Sequence, residues 1–252
     1  MRNQTPESSW DAAERWYGGL VGEKGHYYHQ AVILPKALHL LNLKDVSSLL
    51  DLGCGNGVLA RNLPTEIEYT GVDSAKGLLD QAKKLTRSGS FIEADATHRL
   101  PLTKTDFDRA CFLLSLQNME DGKGALTQAK AHLKKGGKLL IVLNHPAFRI
   151  PRQSNWGEDQ AAKLLYRRLN GYMSSMKIPI EVHPGKTGPS QTTYSYHVPL
   201  SIYFQWLHEL NFVVENLEEW CSDKKSEGRR AKMEDRARKE IPLFMAILAR
   251  SE

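Results

Sequence analysis

Leu49-Leu-Asp51-Leu-Gly53-Cys-Gly55-Asn-Gly57-Val-Leu-Ala-Arg-Asn-Leu63 is the stretch whose reading decides the fold. It opens as an apolar run, passes through alternating glycines and continues with helical spacing. That order predicts a buried strand over 48–52, a tight turn and a helix over 57–63. Such a turn presents backbone N–H groups at the head of a helix, and glycine permits close approach of a ligand to the main chain. The stretch is suited to a nucleotide-like ligand or a carboxylate.

The spacing narrows the ligand. A dinucleotide turn needs G-x-G-x-x-G, in which the third glycine lets helix and strand pack closely. Here the glycines are Gly53, Gly55 and Gly57, and Val58 stands where that motif has its last glycine. A nicotinamide-dependent oxidoreductase is therefore the least supported reading. Asp51 lies inside the apolar strand, where an acid is costly unless paired or hydrogen-bonded. Asp73 ends the next alternating run, Ile67-Glu-Tyr-Thr-Gly-Val-Asp73, where a carboxylate can accept from both hydroxyls of a ribose.

Asp51-Leu-Gly-Cys-Gly-Asn-Gly57 resembles motif I of the class I S-adenosylmethionine-dependent methyltransferases, and Tyr69-Thr-Gly-Val-Asp73-Ser74 resembles their motif II. The resemblance continues in register through Glu93-Ala-Asp95-Ala96, Phe107-Asp-Arg-Ala-Cys-Phe-Leu-Leu114 and Leu133-Lys-Lys-Gly-Gly-Lys-Leu-Leu-Ile141, covering roughly residues 45–145. It implies an α/β fold: a doubly wound, seven-stranded, mostly parallel Rossmann-like sheet. It also implies S-adenosylmethionine as cofactor, S-adenosylhomocysteine as product, and no metal. Gly53, Gly55 and Gly57 would face the methionine part, and Asp51 its amino group, directly or through water. Asp73 would hold the ribose, with Ser74 beside the adenine. Asp95 would accept from the adenine amino group and Ala96 would offer its N–H. Leu114 and Ser115 would lie near the sulfonium.

Composition agrees with one globular domain plus insertions: 252 residues, 41% hydrophobic and 25% charged. No apolar run approaches a membrane span, and Met1-Arg-Asn-Gln-Thr-Pro-Glu7 has no signal-peptide core, so a cytoplasmic protein is expected. The cysteines, Cys54, Cys111 and Cys221, form neither a disulfide framework nor a zinc pattern. A net charge of +5 permits an acidic partner without demanding one. Monomer and homodimer are both compatible with the sequence.

Residues 1–44 are expected to hold a helix from Ser9 carrying Trp10, Ala13, Trp16 and Tyr17 on one face and a second helix ending at Leu43, and the resemblance implies that they form an N-terminal helical lid. Residues 45–252 form the methyltransferase domain on this reading. Strands and helices alternate over 48–52, 57–63, 67–72, 76–86, 90–94, 107–114, 122–134 and 138–143, which argues for a parallel sheet covered on both faces. Lys134-Lys-Gly-Gly137 reads as a helix end. Residues 144–198 carry five prolines and read as an insertion after the fifth strand that covers the acceptor, with a helix over about 158–176. A helix from Pro199 to Leu210 follows. Residues 212–220 and 243–249 read as two strands, and the resemblance implies that they close the sheet, the last antiparallel. Residues 222–240 are dense in charge of both signs and read as a solvated face.

The acceptor side is less marked. His145 follows the fifth strand at the carboxyl edge, where open α/β sheets bind ligands, and is the first candidate for a general base. His29 and His197 are the others. A hydrogen-bonded structural histidine is the competing reading for each. Tyr28 could close over the cofactor or simply pack the lid. His26 and His29 share helical spacing but lack a third ligand, so a metal is not expected. Arg149 and Arg152 could bind an acidic acceptor bidentately or be surface charge. Ser115-Leu-Gln-Asn-Met-Glu120 differs from the Asn/Asp-Pro-Pro-Tyr sequence of methyltransferases that act on exocyclic base amines, which disfavours that chemistry. The reading is methyl transfer to a small-molecule acceptor. The alternatives are an RNA or protein methyltransferase using the basic 222–240 stretch, and a non-catalytic module that binds S-adenosylmethionine; a nucleic-acid partner is disfavoured and a membrane partner is not expected.

Overall fold

The computed structural model describes residues 26–181 and 192–252. The expected helix from Ser9 lies outside them.

Strand β1 is Ser48–Leu52, with every residue buried. An unbroken apolar run of this length is what a strand covered on both faces requires. It lies between β2 (Glu68–Asp73) and β4 (Phe107–Leu113), parallel to both. Strand β3 (Ser90–Glu93) extends one side, and β5 (Leu133–Asn144) the other. Strand β11 (Phe244–Ser251) then runs antiparallel between β5 and β10 (Phe212–Trp220). The seven-stranded order is β10-β11-β5-β4-β1-β2-β3. The expected fold class is therefore the one observed.

Alternate side chains feed two cores. Leu49, Cys111, Leu140 and Val142 pack with α1 (Leu34–Leu41) on one face. Leu50, Leu52, Phe112 and Ile141 pack on the other with α3 (Gly122–His132) and α4 (Leu200–Glu209). Helix α2 (Lys76–Leu85) follows β2 and sends Leu79 into the first core. A period of two along each strand is what delivers side chains to opposite faces.

The structure corrects three expectations. No regular helix fills 57–63; turns lead to a 3-10 segment, Ala60–Asn62. Gly57 holds φ at +76°, and Pro64 restricts Leu63 to an extended conformation, so too few residues remain for an α-helix. Helix α3 ends at His132, and the Lys134–Gly137 run is counted in β5, with Gly136 at φ +76° where the pairing with β4 shifts register.

The third correction concerns the insertion. The helix expected over 158–176 is a hairpin of β6 (Ser154–Asp159) and β7 (Leu164–Leu169), followed by a second hairpin of β8 (Met176–Glu181) and β9 (Thr192–His197). Gly157 gives space to the ring of its cross-strand partner Tyr166, and Trp156 pairs with Arg167. These aromatic cross-strand contacts outweigh helical spacing.

Within 222–240 the structure forms α5 (Ala231–Glu240). Its basic residues are partly used internally: Arg230 meets Glu158 of β6 at 2.7 Å, and Arg238 meets Glu234 and Asp235. Among the described residues no helix is long and apolar enough to cross a membrane.

Candidate active site

The carboxyl ends of β1, β2, β3 and β4 open into one cleft of about 200 Å³. Of the residues singled out by sequence, Gly53, Gly55, Asp73, Ser74, Asp95, Ala96, Leu114 and Ser115 line it.

The geometry follows from the turn after β1. Gly53 and Cys54 both donate their N–H to Val72 O, at 2.7 and 3.0 Å, which folds the turn back onto β2. Gly53 and Gly55 have φ of +74° and +53°, a region that disfavours any Cβ. A Cβ on Gly53 would overlap that of Ser115, so glycine is what lets the end of β4 approach the turn. Ser115 is fixed there because its Oγ donates to Leu52 O at 2.6 Å. The Gly55 N–H donates to Asp73 Oδ2 at 2.8 Å, and the Ala75 N–H to Asp73 Oδ1 at 2.9 Å. A carboxylate has about four acceptor positions. Two of them orient Asp73 on the cleft wall.

Asp95 is held differently. Burial raises its pKa, but the N–H and hydroxyl of Thr97 and the ring of His98 outweigh this and keep it below the usual carboxylate value. It is an anion on the cleft wall. Leu114, at φ +58°, is a strained non-glycine residue held by its N–H to Val142 O at 2.9 Å.

Several expected site residues lie elsewhere. Gly57 is off the cleft; a Cβ there would sit 3.1 Å from Ala82 and Thr86 side chains, so it serves packing against α2. Asp51 is buried, accepting from Tyr69 OH at 2.7 Å and from the Cys111 thiol at 3.4 Å. Tyr28 packs edge-on against Phe244 at 5.7 Å and bonds Ser222. His29 is buried and neutral: burial, then His26, lowers its pKa to about 4.

His145 does sit past the end of β5, but its ring is fully engaged. Nδ1 accepts from the N–H of Ala147 and Phe148 at 3.2 Å each, so Nε2 carries the proton shared with Glu219 at 2.6 Å. No lone pair remains to act as a base. His197 Nε2 likewise bonds Tyr172 O at 2.8 Å. Both are buried, and neither is among the residues that line the cleft. Replacing His145 with Ala is expected to cost about 2–4 kcal/mol of stability, since it strands two N–H groups and opens a cavity. Affinity for S-adenosylhomocysteine should be unchanged. Urea unfolding and calorimetry on the same preparation check both; intact stability with lost binding would contradict the assignment.

Asp51 yields a pH prediction. Desolvation raises its pKa to about 6, against the opposing hydrogen bonds from Tyr69 and Cys111. The folded chain thus keeps a proton that the unfolded chain releases near pH 4. The stabilisation is complete below about pH 4 and is lost as pH rises through about 6. Asp51→Asn should gain on the wild type by up to about 3 kcal/mol between these limits. Urea unfolding near pH 4 and pH 7 tests this, and parallel pH profiles would contradict it.

The sequence reading missed Leu78, Ala94, Thr97, Asn118, Met119 and Glu120, which also line the cleft. The signal was available in part: each lies within a few residues of a strand end already identified. Glu120 joins the cleft to the second hairpin, accepting from Lys177 Nζ at 3.0 Å and Tyr196 OH at 3.1 Å. Among the described residues no group of His, Cys, Asp and Glu is arranged to hold a metal.

Comparison with known proteins agrees with this geometry. Residues 50–141 match the methyltransferase domain family. A demethylmenaquinone methyltransferase of Thermotoga maritima is 35% identical over 110 residues, covering 42% of this chain and 48% of that protein. A trans-aconitate 2-methyltransferase of an Enterobacter species is 37% identical over 105 residues, 40% of each chain. The chain thus spans about half the length, or less, of these curated relatives. An S-adenosylmethionine-dependent methyltransferase structure from Mesorhizobium loti superimposes with a TM-score of 0.67 at 22% identity, covering 88% of this chain and 99% of that one. Residues 50–141 are a methyltransferase domain by that match, and the fold is the one seen in S-adenosylmethionine-dependent methyltransferase structures.

Proposed function

We propose that this chain transfers a methyl group from S-adenosylmethionine to a small-molecule acceptor. The observation that carries the reading is Asp73, locked by two backbone N–H groups beside a glycine turn that keeps the cleft open. The residues fit the cofactor. Asp73 takes the ribose, the Gly53–Gly55 turn admits the methionine part, and Asp95 and Ala96 border the adenine. When bound, the cofactor supplies an activated methyl carbon. The chain's own contribution is positioning, which alone can supply several kcal/mol. Leu114, Ser115, Asn118 and Met119 form the wall against which the acceptor is aligned. The β8–β9 hairpin covers that side through Ser195 on Gln117 O and the Lys177–Glu120–Tyr196 contacts, limiting water.

A small acceptor is favoured because the β8–β9 hairpin borders the cleft at Gln117 and Glu120, and because the Thermotoga maritima and Enterobacter relatives are named for small molecules. The internal pairing of Arg230 and Arg238 leaves the 222–240 segment a poorer phosphate surface than its sequence suggests. Incubation of the purified protein with methyl-labelled S-adenosylmethionine and a small-metabolite extract tests the reading. Labelled small product that disappears in Asp73→Ala is expected. Label found only in RNA or protein would overturn the acceptor class, and no transfer to any pool would favour a binding module.

A further inference from the structure

Past the end of β5 the chain turns back over the sheet, and two arginines of that region have different fates. Arg152 is exposed and meets Glu181 at 3.3 Å. Arg149 points inward. Its guanidinium lies over the ring of buried Phe244, 5.1 Å from the centroid, and Tyr28 packs edge-on against the same ring. Among the described residues no carboxylate or carbonyl bonds the Arg149 side chain. A half-buried guanidinium without an anion is costly, and its charge is normally matched.

The surroundings add positive charge. Arg167 of β7 is anchored by its Nε to Phe148 O at 2.7 Å and by a terminal nitrogen to Ser154 Oγ at 3.0 Å, and it stacks on Trp156. Burial lowers the Arg149 pKa, Tyr28 opposes this, and Arg167 adds to the lowering by repulsion. Lys224 lies over Tyr28 at 5.0 Å. The nearby acids have partners of their own: Glu219 holds His145, and Asp223 takes the Tyr27 hydroxyl.

The location points to the acceptor. Phe244 is paired with Asn144 at the carboxyl end of β5, and the Asn144 N–H donates to Gln117, next to the cleft-lining Asn118. From β4 through β5 to β11 is two strand spacings, about 10 Å. A small molecule with its reacting atom at the cleft wall spans that distance.

We infer that Arg149, flanked by Arg167 and Tyr28, recognises an oxyanion group, carboxylate or phosphate, on the methyl acceptor. This rests on the methyl-transfer reading for its role in catalysis, and on the geometry alone for the anion site. A planar guanidinium can bind either group through two parallel hydrogen bonds.

Calorimetric titration with benzoate, succinate, methyl phosphate and neutral benzamide, each with and without saturating S-adenosylhomocysteine, tests the inference. At least one of the three anions should bind at about millimolar affinity or better, and benzamide should not. The carboxylate and phosphate arms decide which oxyanion is preferred. Arg149→Met should weaken that binding about tenfold or more, Arg149→Lys should restore only part of it, and Arg152→Gln should leave it unchanged. Thermal unfolding without anions separates function from scaffold. Arg149→Met should melt at the wild-type temperature or higher, because a half-buried guanidinium without an anion is removed, whereas a structural arginine would lower it. Absence of anion binding, or anion binding that survives Arg149→Met, overturns the site. Anion binding that depends on Arg149 in a protein that does not bind S-adenosylhomocysteine would leave the site standing and remove the methyl-transfer reading.

Discussion

Asp73→Ala is expected to weaken S-adenosylhomocysteine binding by a hundredfold or more, with little change in the far-UV spectrum. Asp73 ends β2, is oriented by the Gly55 and Ala75 N–H groups and lines the cleft, and on the proposed reading it accepts from the ribose hydroxyls. Two hydroxyl hydrogen bonds to an ionised acceptor are worth about 1.5–3 kcal/mol each, which converts to roughly 10²–10⁴ in affinity. The substitution also frees the Gly55 N–H and loosens the turn, which adds to the loss. Asp73→Asn should fall between, because the amide keeps one acceptor. Calorimetry of the three proteins checks the order, and equal affinities would remove Asp73 from the site.

Gly53→Ala should damage both stability and binding. A Cβ there overlaps Ser115 Cβ, approaches Ser115 Oγ to 2.9 Å, and must adopt φ +74°. The overlap costs about 1–3 kcal/mol and the left-handed backbone about 1–2 more. The displaced residue, Ser115, is itself a cleft wall, so affinity falls with stability. Gly136→Ala provides the control. Its φ is +76°, but nothing lies within 4 Å of the added Cβ. It should show only the backbone part of the destabilisation and unchanged affinity. If both variants melt alike and bind alike, the close approach of β4 to the turn is not what Gly53 is for.

The sheet was legible in the sequence because its information is local. Leu49 and Leu50 point to opposite cores, and the run that contains them can only be a strand covered on both faces. The cleft was legible for a related reason: in a parallel sheet the residues just past each strand gather at one edge, so Asp73, Asp95 and Ser115 come together.

What was not legible depends on distant partners. In sequence Gly53, Gly55 and Gly57 look equivalent. Only the neighbours of Gly57, Ala82 and Phe91, turn it from the ligand to the packing of α2. Asp51 and Asp73 are both acids on strands, and the difference is that Tyr69 and Cys111 claim the first. His145 stands where topology would put a base. Its proton is fixed by Glu219, 74 residues away, which no local reading reveals. The sequence over about 158–176 reads as helix because Leu164, Leu165 and Leu169 suit either period, and the strand pairing is decided by Trp156 and Gly157 with their partners Arg167 and Tyr166.

On the proposed reading the glycine-turn cleft is built for S-adenosylmethionine. Calorimetric titration of the purified chain with S-adenosylmethionine, S-adenosylhomocysteine and NAD is the test. One site for each sulfur nucleotide, lost in Asp73→Ala, and no heat from NAD are expected. Binding of NAD in their place, or sulfur-nucleotide binding indifferent to Asp73, would contradict it.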